Sequence, residues 1–445
     1  MTQTKKRVVI VGGGFAGLTL ARSLRKVPVE VTLVDRENHH LFQPLLYQVA
    51  MAGLSPAEIA MPIRSTLGSQ KNARVLLGEA VSADLKAKFL HLADGESIPF
   101  DYLVIAAGAC TTYFGHDEWE RYSLGMKSID DAVDVRRHIL LAFEGAEREL
   151  DEKAQERLLT FAVIGGGPTG VEVAGTLAEL SKTILARDFR RIGKHIPKIV
   201  LIEMGDRVLP AFSHKLSASA ARELEDMGIT LRLSTRVTRI DERGVELDGK
   251  ELVESASVIW AAGVKPCALA SSLGVELDKQ GRIIVASDCS LTEYPNVFAI
   301  GDIAHTKDGE GKPLPGLAPV AMQAGRAVKA NIERDLKKLD RKPFHYVDKG
   351  MMATIGRSRA IVQYGKLRLT GFIAWMMWIA VHIWYLIGFR NRVAVMLQWA
   401  WLYITFRRGA RLITGLPDGA LKRTPSLFVQ SHDDHRHEPQ DHRSV

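Results

Sequence analysis

Val8–Ala21 reads VVIVGGGFAGLTLA, a β-branched run that meets a stretch of small residues through Gly12, Gly14 and Gly17. The spacing is G-x-G-x-x-G, and each glycine has its own reason. The first permits a tight strand-to-helix turn, the second lets backbone approach a pyrophosphate, and the third lets helix and strand pack closely. The pyrophosphate then rests on free N–H groups at the helix N-terminus. The next apolar run, Val29–Asp35 (VEVTLVD), ends in a carboxylate that suits the two hydroxyls of an adenosine ribose. One such turn is a weak signal. A second occurs at Phe161–Leu180, FAVIGGGPTGVEVAGTLAEL, where Gly165, Gly167 and Gly170 repeat the spacing and the following strand ends in Glu203. Two dinucleotides on one chain imply electrons passing from one to the other.

The chain of 445 residues is long enough for two or three domains, each with its own core. Its three cysteines, Cys110, Cys267 and Cys289, lie far apart without a C-x-x-C pair, which argues against a disulfide framework, a zinc site and a dithiol redox centre. No metal-ligand set and no Ser-His-Asp arrangement stands out, and nothing points to nucleic acid. MTQTKKR leads straight into the first strand without a signal peptide, so the body is expected in the cytosol.

Closing strands mark the domains. FDYLVIAAGA (Phe100–Ala109) ends the first unit and ASVIWAAGVKP (Ala256–Pro266) the second, and NVFAIGDIA, with Gly301 and Asp302, returns the chain to the first. The expected fold is α/β, with two Rossmann-like doubly wound dinucleotide-binding domains, the second inserted in the first. Residues 1–130 and 287–345 make the first domain and 155–286 the second, joined by an amphipathic helical stretch whose charges form a solvated face. Residues 346–417 form a C-terminal amphipathic helical region, and the polar, His-rich residues 418–445 are expected to be disordered.

The net charge of +8 has a location. From Lys366 to Pro417 there is no Asp or Glu, but there are seven Lys or Arg and five of the seven tryptophans. Phe372–Phe389 and Val393–Phe406 are apolar runs. The second, at 14 residues, is too short to span a bilayer comfortably. In a two-span hairpin Arg390 and Arg392, read as the turn, would face the side opposite Lys366, Arg368, Arg407, Arg408 and Arg411, against the positive-inside preference. Two helices lying in the interface place every Arg at one headgroup level with the tryptophans beside them. A monotopic anchor on the cytoplasmic face of the membrane is therefore expected, with Asn391 in an exposed turn.

Several stretches together resemble one family. NHHLFQPLLYQVAMAGLSPAEIAMPIR, AAGACTTYFG, YPNVFAIGDIA, LAPVAMQAGRAVKANI and DKGMMATIGR look like type II NADH:quinone oxidoreductases, single-subunit members of the glutathione-reductase-like flavoproteins. The resemblance runs from about Arg7 to Ile413 and implies respiratory oxidation of NADH with reduction of a membrane quinone such as ubiquinone, without proton pumping.

It also implies roles. FAD, bound non-covalently, lies on Gly12, Gly14, Phe15, Ala16 and Gly17, with Asp35 on its ribose. Val81, Gly108, Asp302, Lys349 and the helix start Ala318–Pro319–Val320 complete its site. NADH lies on Gly165, Gly167 and Gly170. Glu203, on its ribose, disfavours NADPH because a carboxylate repels the 2′-phosphate. Arg207 weakens that inference slightly. Gly263 lets the nicotinamide approach, Glu172 handles a proton or gates the stack, and Gln323 lines the quinone side. Pro319 replaces the glutamine usual in the family's quinone motif, so one side-chain hydrogen bond is lost there. Two rivals are a sulfide:quinone reductase, which needs paired redox cysteines near the flavin, and a non-catalytic NADH-sensing flavoprotein. A homodimer is the default assembly.

Overall fold

In the computed structural model, which describes residues 5–182, 188–192, 197–405 and 410–415, the first glycine turn joins β1 (Lys6–Val11) to α1 (Phe15–Ser23). The chain returns through β2 (Val29–Asp35), and β3 (Ala73–Leu77) and β4 (Tyr102–Ile105) extend the same parallel sheet. Val8–Val11 are all buried, the continuous apolar run expected of a strand covered on both faces. β5 (Ala109–Thr111) then leaves the sheet, and α2 (Ile129–Arg148) begins at a capping box in which Ser128 and Asp131 satisfy each other's N–H.

The second unit repeats the pattern with β6 (Thr160–Ile164), α3 (Pro168–Leu180), β7 (Lys198–Ile202), β8 (Ile229–Arg232) and β9 (Ser257–Trp260). Its parallel sheet has the order β8-β7-β6-β9. β10 (Val264–Pro266) pairs antiparallel with β5, so one short ribbon ties the two units together. β11 (Val297–Ala299) then rejoins the first sheet beside β4, giving β11-β4-β1-β2-β3. The second sheet is thus inserted in the first.

α4 (Ala318–Leu336) lies across α1. The approach is close: a Cβ on Gly325 would sit 2.7 Å from the Ala16 carbonyl oxygen. β12 (Met351–Gly356), β13 (Arg359–Tyr364) and β14 (Leu367–Thr370) form an antiparallel sheet against α3. Two helices follow, α5 (Gly371–Tyr385) and α6 (Phe389–Thr405).

The C-terminal helices correct the sequence reading in three places. The chain breaks at Leu386–Gly388, so Arg390 and Arg392 open α6, and the Arg392 Nε donates to the Leu386 carbonyl at 2.7 Å. Asn391 is buried rather than exposed, with its amide donating to the Ala57 carbonyl at 3.3 Å. Nor do all five tryptophans share one boundary. Trp378 is core, close to Tyr47 and stacked on His382, and the Trp399 indole donates to the Gln48 amide oxygen at 2.7 Å. Gln48–Ala57 is thus the seat on which α5 and α6 dock, because hydropathy counts apolar residues but cannot divide them between protein and surroundings. Trp384 and Trp401 do face outward, with Phe372, Ile373, Met376, Phe389, Leu397 and Ile404. Among the described residues, no helix is long and apolar enough to cross a membrane. Arg407, Arg408 and the His-rich tail lie outside the described residues.

Candidate active site

The two glycine turns have the same geometry. Gly12 and Gly165 adopt φ of 101° and 109°, left-handed values open to glycine, which turn each strand sharply into its helix. A Cβ on Gly17 would run into the Gly12 carbonyl, and one on Gly170 into the Gly165 carbonyl. The middle glycines differ: a Cβ on Gly14 or Gly167 would meet nothing within 4 Å. Each is the N-cap of its helix, neither helix has a side-chain cap, and neither has an acidic residue in its first turn. Two helix N-termini therefore present free N–H groups to open space, where an anion is favoured by hydrogen bonding and by the helix dipole.

A carboxylate closes each cradle. The Gly13 N–H donates to Asp35, whose other oxygen accepts from the Glu37 N–H at 2.8 Å. Glu203 accepts from the Gly166 N–H at 2.5 Å and the Gly205 N–H at 2.6 Å. Burial pushes the Asp35 carboxyl up, and the Glu37 and Gly13 bonds oppose that. Arg207, the residue that weakened the NADH reading, is engaged with Asp206 and the Pro210 carbonyl.

Around the first cradle the fold gathers Asp302 and the start of α4. A Cβ on Gly301 would lie 3.4 Å from the Ala16 methyl and 3.8 Å from that of Ala321. Asp302 faces Lys127 at 3.9 Å. Ala318, Pro319 and Val320 form the first turn of α4, again without a side-chain cap. Phe15 packs edge-on against His40 and Phe42, with ring centroids 5.1 and 5.8 Å away. Phe42 in turn meets His382 of α5 at 6.2 Å, so an aromatic row runs from the glycine turn to the C-terminal helices.

His40 was not singled out in the sequence. It is buried, its Nδ1 lies 2.8 Å from the Gly13 carbonyl, and its Nε2 has no partner. A carbonyl only accepts, so Nδ1 carries the proton and Nε2 is an unfilled acceptor. Burial lowers the pKa of the ring and keeps it neutral. Its place in the NHHLF stretch was the available signal.

Other residues stand differently from their reading. The Gln323 amide donates to the Val347 carbonyl at 2.9 Å and accepts from the Val347 N–H at 3.0 Å. It clamps the segment that carries the exposed Lys349 instead of presenting a free amide. Gly263 lies under the Phe114 ring, which a Cβ there would strike. Val81 is exposed on a separate small sheet. Gly108 accepts from the Cys267 N–H at 3.4 Å. Two cysteines distant in sequence are close in space: Cys110 and Cys267 lie with sulfurs 2.7 Å apart, because the β5–β10 ribbon brings distant segments together.

Glu172 lies beyond the first turn of α3, with only part of its surface exposed. Dense surroundings strip its hydration and push its carboxyl up to about 8, opposed by a hydrogen bond from the Thr354 N–H of β12. The acid is therefore protonated at neutral pH.

The family described as Pyridine nucleotide-disulphide oxidoreductase matches residues 6–325. The type II NADH:quinone oxidoreductase NdhA of Mycobacterium tuberculosis is 43% identical over 426 residues, 92% of this chain and 90% of that protein. The chain belongs to the type II NADH:quinone oxidoreductases. A relative of the same description from Staphylococcus aureus is 31% identical over 82% of this chain and 92% of its own length. The fold matches the structure of NDH2 from Plasmodium falciparum in complex with NADH, with a TM-score of 0.83 at 20% identity, covering 92% of this chain and all of that one.

Proposed function

We propose that the chain oxidises NADH and reduces a membrane quinone through a non-covalently bound FAD. The observation that carries the reading is the pair of open, uncapped glycine turns, each with a carboxylate at the end of the next strand. FAD supplies hydride acceptance at N5 and two-electron delivery to a quinone. The protein's part is to bind, orient and bias charge. Gly12, Gly14, Phe15, Ala16 and Gly17 would hold the FAD pyrophosphate and Asp35 its adenosine ribose, with Gly108 beside them. The unfilled His40 Nε2 would accept a hydrogen bond from a cofactor hydroxyl. Asp302 and Lys349 flank the cofactor, and the positive end of α4, at Ala318–Pro319–Val320, favours negative charge beside it. Gln323 acts by positioning the Val347–Lys349 segment. Gly165, Gly167 and Gly170 would hold the NADH pyrophosphate. Gly263 would admit the nicotinamide once Phe114 moves.

In this reading Glu203 selects NADH, and a steady-state assay with NADH or NADPH and a short-chain quinone tests both the activity and the selection. The wild type should turn over with NADH and strongly disfavour NADPH. Glu203→Gln should narrow the preference by ~10-fold, the worth of roughly one charge-assisted hydrogen-bond pair. No NADH-dependent quinone reduction would overturn the reading, and an unchanged ratio would remove Glu203 from the ribose.

Glu172 serves as a proton-carrying group beside the reacting rings. Its folded pKa, about 8, lies above the ordinary glutamate value of 4.5, so the native state holds the extra proton between them. Stability is therefore lost as pH rises through that window. Glu172→Gln should melt increasingly above the wild type from pH 6 to pH 9, and should flatten any change in the NADH half-reaction near pH 8. A pH profile unchanged by the substitution would confine Glu172 to packing.

The outward apolar side chains of α5 and α6, with Lys366, Arg368 and Arg390 nearby, support monotopic attachment to the cytoplasmic face of the membrane. The aromatic row Phe15–Phe42–His382 supports a quinone path from that surface towards the flavin.

A further inference from the structure

Cys110 and Cys267 stand 157 residues apart in sequence and on different units of the fold. β5 follows the first sheet, β10 follows the second, and the ribbon pairs Ala109 with Pro266 and Cys110 with Lys265. Cys267 falls one step beyond that register, diagonal to Cys110, with the two sulfurs 2.7 Å apart. The Cys267 N–H also reaches back to the Gly108 carbonyl at 3.4 Å, and its Sγ lies 3.3 Å from the Ala107 carbonyl oxygen. Both thiols are partly exposed. Their surroundings are cationic: Arg36 and Lys127 act on both, and Lys265 is exposed beside them.

The two sulfurs are unequal. The hydrogen bond with Cys267 lowers the Cys110 thiol against the cost of burial, with further help from Arg36 and Lys127. The same bond, with burial, pushes the Cys267 thiol up. One sulfur is thus biased towards the thiolate and the other towards keeping its proton. That is the arrangement of an attacking and a resolving thiol. Cys289 is the internal contrast, buried and pushed up to about 12.

We propose that Cys110 and Cys267 form a redox site, oxidised by an anionic low-molecular-weight disulfide to a disulfide that staples the two nucleotide-binding units together. The Cys110 thiolate attacks one sulfur of the small disulfide, forming a mixed disulfide and releasing one small thiolate. Cys267 then gives up its proton and attacks the Cys110 sulfur, expelling the second. Two protein thiols are oxidised by two electrons, and one small disulfide is reduced to two small thiols. The closing bond, roughly 2.05 Å long, needs only a sub-ångström approach of the sulfurs. The cationic flank of Arg36, Lys127 and Lys265 favours both the thiolate and an anionic oxidant. Gly108, which accepts from the Cys267 N–H, belongs to the proposed FAD site, but neither nucleotide takes part in the exchange, so its test is separate from that of the NADH chemistry.

The test uses full-length, flavin-loaded protein, first reduced and desalted, then exposed to oxidised glutathione. Non-reducing proteolysis with mass spectrometry should recover the Cys110 and Cys267 peptides joined, with two of the three thiols lost, Cys289 intact and full reversal by dithiothreitol. Cys267→Ser should trap glutathione on Cys110, and Cys110→Ser should leave Cys267 unmodified. Glutathione retained on wild-type Cys110 without the cross-link would overturn the proposal. So would survival of both thiols under conditions that oxidise a free dithiol control.

Discussion

Gly14→Val should leave the chain folded and strip it of flavin, while Gly17→Val should not fold. The two positions are three residues apart in one turn, and the difference is spatial. Gly14 sits at φ −68° and ψ −165°, backbone that any residue adopts, and its Cβ would project into open space. The cost to folding is roughly 1 kcal/mol or less, that of a poor N-cap residue. The valine would nevertheless fill the cradle where a pyrophosphate approaches the N–H groups. Purified Gly14→Val should melt within a few degrees of the flavin-free wild type and carry less than about a tenth of the flavin that purified wild type binds. A Cβ on Gly17 would instead strike the Gly12 carbonyl, forcing backbone to move in a packed turn at a cost beyond ordinary overpacking. Gly167→Val should behave as the counterpart of Gly14→Val, keeping its flavin while losing its response to NADH. Flavin retained in full by Gly14→Val would place the cofactor elsewhere.

Charging the outward face of α5 and α6 should release the protein from vesicles. Ile373 and Ile404 are 68% and 75% exposed, on helices whose inner faces are already satisfied by Gln48–Ala57 and β13. Inserting each side chain into the bilayer boundary is worth about 1.5–3 kcal/mol, so Ile373→Glu combined with Ile404→Glu should cut partition by roughly 100-fold or more. Leu150→Glu, at a site 79% exposed but remote in sequence, should change nothing. Sedimentation with anionic phospholipid vesicles measures both. Equal partition of the double variant and the wild type would mean that this face meets protein rather than lipid.

The parts legible in the sequence are those that local geometry dictates. Both glycine turns, the carboxylates after β2 and β7 and the return of the chain at Gly301–Asp302 follow from spacing within a few residues. What was misread depends on distant partners. Cys110 meets Cys267 only because β5 and β10 pair in one register. Gln323 loses its free amide because Val347, on another segment, crosses beside it. Asn391 reads as a turn residue because hydropathy cannot distinguish the Leu386–Gly388 break from the polar residues that follow. Trp378 and Trp384 belong to the same run, yet one is core and the other faces outward. His40 becomes a candidate only when the fold closes it over Gly13 and leaves its second nitrogen without a partner.

The measurement that bears most directly on the account is an anaerobic single turnover of vesicle-bound, flavin-loaded protein, followed by its visible absorbance. NADH should bleach the flavin stoichiometrically, and a short-chain quinone added afterwards should restore the absorbance with equivalent loss of quinone. Flavin that NADH leaves unbleached, or that bleaches but is not restored by quinone, would contradict the account.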